Sequence, residues 1–66
     1  MTIVCNGERL EAQAGATVSS LLETLGIASG RVAVEVNSRI VRREEFPRLA
    51  LRDNDRVELV HLVGGG

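Results

Sequence analysis

Few side chains in this 66-residue chain have the types and neighbours that chemistry needs. There is one histidine, His61, and it has no companion at metal-ligand spacing. It is expected at the wet end of the last strand. There is one cysteine, Cys5, and it alternates with Ile3 toward the interior, so it reads as a small buried hydrophobe rather than a nucleophile. No Ser–His–Asp set, no carboxylates with a reason to be adjacent and no phosphate-binding glycine loop can be assembled. What remains is main chain. The apolar run Val57-Glu58-Leu59-Val60-His61-Leu62-Val63 gives way to Gly64-Gly65-Gly66, and there the sequence stops. The candidate reactive atom is the carboxyl carbon of Gly66. Three glycines reach roughly 10 Å at about 3.3–3.6 Å each. They offer no Cβ to obstruct a narrow channel, so Gly64 and Gly65 are expected to thread into a partner protein. The competing reading is a frayed end.

Beside the tail, Val60 and Leu62 fall out of phase with Val57 and Leu59. If Val57 and Leu59 face the core, Val60 and Leu62 face solvent and form an apolar docking strip, which Val4 is expected to share. The bland alternative is scattered surface apolars, which need no explanation. Arg42-Arg43-Glu44-Glu45 reads as a solvated loop, the alternative being a charged contact with a partner.

Composition sets the bounds. A single domain near the lower size limit for one hydrophobic core is expected, a folded body over 1–63 with a flexible glycine tail at 64–66. The apolar fraction of 44% and net charge of −1 fit a globular domain and give no reason to expect nucleic acid. No apolar run approaches the roughly 20 residues of a membrane span, so no membrane association is expected. One cysteine makes no internal disulfide, which fits a reducing cytoplasm. All eight basic residues are arginine, so the chain cannot be extended into a polymer through its own lysines.

The elements that must position the tail follow in order. Thr2 to Asn6 and Glu8 to Ala12 form a hairpin around Asn6-Gly7, a strong two-residue turn signal. Ile3, Cys5, Leu10 and Ala12 face one way. Thr17 reads as a helix cap, with Val18, Leu21, Leu22 and Leu25 on one face of a helix of about ten residues. Gly26 and Ile27 supply a Schellman stop, a better signal than the start. Val32, Val34 and Val36 alternate inward, Asn37-Ser38 turns, and Arg39 to Arg42 makes an edge strand. Arg43 to Leu51 is irregular, with Phe46 extended or in a turn before Pro47. Phe46, Leu49 and Leu51 plug one end of the core. Asp53-Asn54-Asp55 turns into the last strand, which is apolar on both faces and so expected centrally, beside the first. The result is an α+β fold with a mixed sheet of four to five strands wrapped around one helix.

With that order, the chain resembles a β-grasp protein of the ubiquitin-like superfamily. More narrowly, it resembles the ThiS family of thiamine biosynthesis. The likeness is carried by Ile3 with Asn6-Gly7, Gly15 with Thr17-Val18 and Leu21-Leu22, and Val32 to Asn37. It continues through Ile40-Val41 with Arg43-Glu44, Asp53 with Asp55, and Gly65-Gly66. Ser38, Arg42 and Phe46 depart from the common pattern of Gly, Pro and Trp, in a turn and a loop.

The resemblance implies a sulfur carrier, not an enzyme. An adenylating enzyme of the ubiquitin-activating type would use ATP on Gly66, and the chain itself would bind no cofactor or metal. A sulfur donor such as a cysteine desulfurase relay would convert the acyl-adenylate to a thiocarboxylate, and thiazole synthase would take the sulfur. The chemistry is sensible, because a carboxylate is a poor electrophile and an acyl phosphate splits one hard substitution into two easier ones. The other readings are a carrier for molybdopterin or another sulfur-containing metabolite, a ubiquitin-like protein modifier, and a binding module that never uses its terminus.

Overall fold

The computed structural model describes residues 1–63; the expected glycine tail at 64–66 lies outside the described residues. Strands β1 (Thr2–Cys5) and β2 (Glu8–Glu11) form the first hairpin, helix α1 spans Val18–Leu25, and β3 (Val32–Val36) and β4 (Arg39–Val41) form the second hairpin. Strand β5 (Arg56–His61) closes the sheet, whose order is β2-β1-β5-β3-β4. As expected, β5 is central, parallel to β1 and antiparallel to β3, and β4 is an edge strand. This is the β-grasp arrangement, a mixed five-stranded sheet with one helix.

Both hairpins turn through two residues of positive φ. Asn6 and Gly7 stand at 50° and 83°, Asn37 and Ser38 at 52° and 70°. The first pair fits that geometry easily. Ser38 adopts it against its Cβ, at a cost that glycine would avoid.

Helix α1 is eight residues long, against about ten expected, and it stops at the expected place, with Gly26 in the left-handed conformation (φ 71°) directly after Leu25. The Gly26 amide donates to the Glu23 carbonyl (3.0 Å) and the Ile27 amide to that of Leu22 (2.9 Å), which is the Schellman pattern. The start is better built than the sequence indicates. The Thr17 hydroxyl accepts from the Ser20 amide (3.2 Å), and the Ser20 hydroxyl accepts from the Thr17 amide (2.8 Å). The Val18 and Ser19 amides, which have no partner inside the helix, donate to the carbonyls of Leu49 (3.2 Å) and Phe46 (2.9 Å). The segment expected to be irregular thus seats the helix, with a 3₁₀ turn at Arg43–Glu45 and a bridge between Thr17 and Ala50. Phe46 is helical at φ −52°, ψ −46°, despite the proline after it. That geometry turns its carbonyl toward α1 and lets its ring bury.

The core runs between helix and sheet. Ile3, Val18, Leu21, Leu22, Val32, Val34, Val36, Val41, Phe46, Leu51, Val57 and Leu59 are buried. Leu49, Cys5, Leu10, Ala12 and Ile27 pack against them, half-buried. Leu25, expected on the buried face, lies at the rim because α1 stops there. No described helix is long and apolar enough to cross a membrane.

Candidate functional site: the end of the central strand

Strand β5 leads to the tail and is fastened on both sides. On one side the Asn6 amide donates to the Val57 carbonyl (2.9 Å). On the other, β3 pairs from Val36 with Val57 to Val32 with His61. Two asparagines at the hairpin turns extend this hold. The Asn6 side chain accepts from the Leu59 amide (2.7 Å) and donates to the Leu59 carbonyl (3.2 Å), taking the place of a ladder residue where β1 has already turned away. The Asn37 side chain accepts from the Arg56 amide (2.9 Å) and donates to Asp55 (2.9 Å). Sequence reasoning reads both only as turn formers. The available signal was an asparagine, rather than a glycine or aspartate, opening each turn.

Among the described residues the last backbone hydrogen bond is the Leu62 amide on the Arg31 carbonyl, 2.9 Å, one residue beyond β5. Val63 follows with 96% of its surface exposed. Up to Leu62 the direction of the chain is fixed by the sheet. The sequence-expected tail residues Gly64, Gly65 and Gly66 lie outside the described residues.

The strand alternates as the spacing predicts. Val57 and Leu59 are buried against the helix, while Val60 and Leu62 are 57% and 52% exposed on the other face. By register, Val60 is opposite Ala33 and Glu58 is opposite Glu35, and Glu35 is in turn opposite Ile40 of β4. Val4, half-buried, lies on the β1 side of the same face, as expected. Ile40 is 78% exposed and was not anticipated as part of this surface. Its strand is three residues long, too short for alternation to show which way it points.

Cys5 is a free, half-buried thiol at the other end of the hold on β5. It borders a shallow pocket of about 280 Å³ with Leu10, Leu25, Ile27 and Leu59. Burial, then the charges of Glu58 and Glu8, push its pKa up. A thiol kept protonated is a weak nucleophile, in keeping with its reading as packing. His61 is exposed at the end of β5. Among the described residues no group of three His, Cys, Asp or Glu is placed to hold a metal.

With the geometry established, the chain can be compared with known proteins. The ThiS family matches residues 2–66. The chain is 33% identical over 66 residues to the sulfur carrier protein ThiS of Escherichia coli, covering 100% of both chains. It is 44% identical over 66 residues to a thiazole synthase of Magnetococcus marinus, but spans only 20% of that longer protein. The crystal structure of a thiamine biosynthesis protein (ThiS) from Geobacter metallireducens superposes with a TM-score of 0.85, at 32% identity and full coverage of both chains. A family match along nearly the whole chain, a full-length relative and a full-length structural neighbour agree: the chain belongs to the ThiS family.

Proposed function

We propose that this carrier works through the carboxyl group of Gly66, which receives sulfur and surrenders it to the thiazole ring of thiamine, and that the folded body is a handle without catalysis of its own. In the first step a carboxylate oxygen attacks the α-phosphorus of ATP held by an adenylating partner, and pyrophosphate leaves. In the second, the outer sulfur of a donor persulfide attacks the acyl carbon and AMP leaves; a thiol then attacks the donor's sulfur in the resulting acyl disulfide, forming a disulfide with the donor and freeing the thiocarboxylate. The thiocarboxylate sulfur is then the nucleophile offered to thiazole synthase. The chain binds no cofactor itself; ATP belongs to the partner. A cytoplasmic setting accords with the single unpaired cysteine.

The observation that carries this reading is the way β5 is held up to Leu62 and then released at a fully exposed Val63. A rigid base with a slender extension delivers one atom into an enclosed site while the body remains outside. Val60, Leu62 and Val4 form the docking surface beside that exit, and Gly64 and Gly65 thread the partner's channel. Delivery without release to water requires both.

The reading is tested by extending the chain. A variant with one alanine after Gly66 keeps the fold but replaces the terminal group by a bulkier one. It is expected to lose thiazole formation in a reconstituted system with the adenylating enzyme, ATP and a sulfur donor. Undiminished formation from the untrimmed variant would overturn the assignment.

A further inference from the structure

The exposed face of the sheet carries a charge arrangement that the fold does not resolve. Glu35 of β3 and Glu58 of β5 stand directly opposite each other, on the two strands nearest the middle of that face. Like charges so placed, with Cβ atoms about 4.5–5.5 Å apart, destabilise a sheet. Neither glutamate has a basic partner. Among the described residues the one acid–base pair within 4.0 Å joins the N-terminal amine to Glu11. Arg56, two residues before Glu58 on the same face, and Arg9, opposite Val4, do not close on either acid. Glu35 is moreover half-buried.

The surroundings of the pair are apolar. Ile40 flanks Glu35 on β4, Val60 and Ala33 lie one step along the strands toward the tail, and Leu62 lies beyond them. A protein that covers these apolar groups drives water from the space between them. Two carboxylates left there uncompensated would cost more than the apolar contact returns. The face is therefore suited only to a partner that brings a positive charge to its centre.

We propose that the outer sheet face selects its partner through the Glu35–Glu58 pair, and that the occupant is thiazole synthase, presenting an arginine or lysine between the two carboxylates within an apolar surround. This rests on the carrier reading above and names the chemistry of one of its partners. Thiazole synthase is the occupant because a relative 44% identical to this chain is part of a longer protein of that name. In that relative the domain and the synthase body are covalently kept together. Where the two are not joined, such a domain finds the same body through its surface.

The test is calorimetric titration of the whole chain with purified thiazole synthase and, separately, with the adenylating enzyme, for the wild type, Glu35→Gln, Glu58→Gln and the exposed helix control Glu23→Gln. Each of the first two is expected to weaken binding by about tenfold or more. Each is also expected to raise the thermal midpoint, because the repulsion is relieved. A merely structural role would move binding and stability in the same direction. Glu23→Gln is expected to change neither. Unchanged or tighter binding by both sheet variants overturns the proposal. So does a loss confined to the adenylating enzyme, or a wild-type dimer in sedimentation that the variants abolish. Sulfur loading of wild-type Gly66 is measured separately: a loaded chain whose glutamine variants bind normally refutes this inference alone.

Discussion

Asn6 holds two conformational roles at one position. Its positive φ opens the β1–β2 turn, and its side chain completes the ladder to Leu59. Asn6→Gly keeps the turn and removes the clamp, at about 1–2 kcal/mol of stability in urea unfolding. Asn6→Ala adds left-handed strain and is expected to cost about 1 kcal/mol more. The opposite sign is expected at Ser38, where φ is 70° and the side chain serves no turn geometry. Ser38→Gly is expected to stabilise by about 0.5–1 kcal/mol in the same measurement. At Cys5, burial and then the neighbouring carboxylates Glu58 and Glu8 raise the pKa. The thiolate fraction near neutral pH is then smaller in the folded than in the unfolded chain. Alkylation by iodoacetamide should be slower for the folded protein and should accelerate as pH rises. By linkage, a raised folded pKa means that this thiol's stabilising contribution is present below its unfolded pKa and fades as pH climbs through the folded value.

At the scale of elements, legibility followed locality. The Schellman stop of α1 was readable because Gly26 and Ile27 act on carbonyls three and five residues away, within one window of sequence. The start was only half readable. Thr17 announced itself, but Ser20 is a less familiar closing residue for a capping box than a glutamate, and the carbonyls that receive the Val18 and Ser19 amides come from residues 46 and 49. No local pattern encodes that pairing. The same distance effect hid Ile40 on the exposed apolar face, to which it belongs only because β4 lies against β3 in one register. Strand alternation did reveal Val60 and Leu62, since it needs nothing but the neighbouring residues of β5. Thr17→Ala removes the hydroxyl that caps the Ser20 amide, and is expected to lower stability by about 1 kcal/mol. Sulfur loading at low temperature should be unaffected, because α1 lies on the face opposite the docking strip.

On the scale of the molecule, a thin core supports the strand that leads toward the proposed reactive end. Stability for a chain of this size is of the order of 0.05–0.15 kcal/mol per residue. A single truncation at a fully buried site such as Leu22 therefore removes a large share: Leu22→Ala is expected to cost about 2–5 kcal/mol. The two strands flanking β5 fix one direction of exit, and the outer face of the sheet carries exposed apolar groups around an unpaired acidic pair. Both features are expensive for a domain that acts alone and useful for one that works inside other proteins. The most direct measurement is the intact mass of the chain after incubation with the adenylating enzyme, ATP and a sulfur donor, followed by fragmentation. The account predicts that one oxygen is replaced by sulfur and that the change maps to Gly66. A competent partner that leaves the mass unaltered, or sulfur mapping to Cys5 instead, would contradict it.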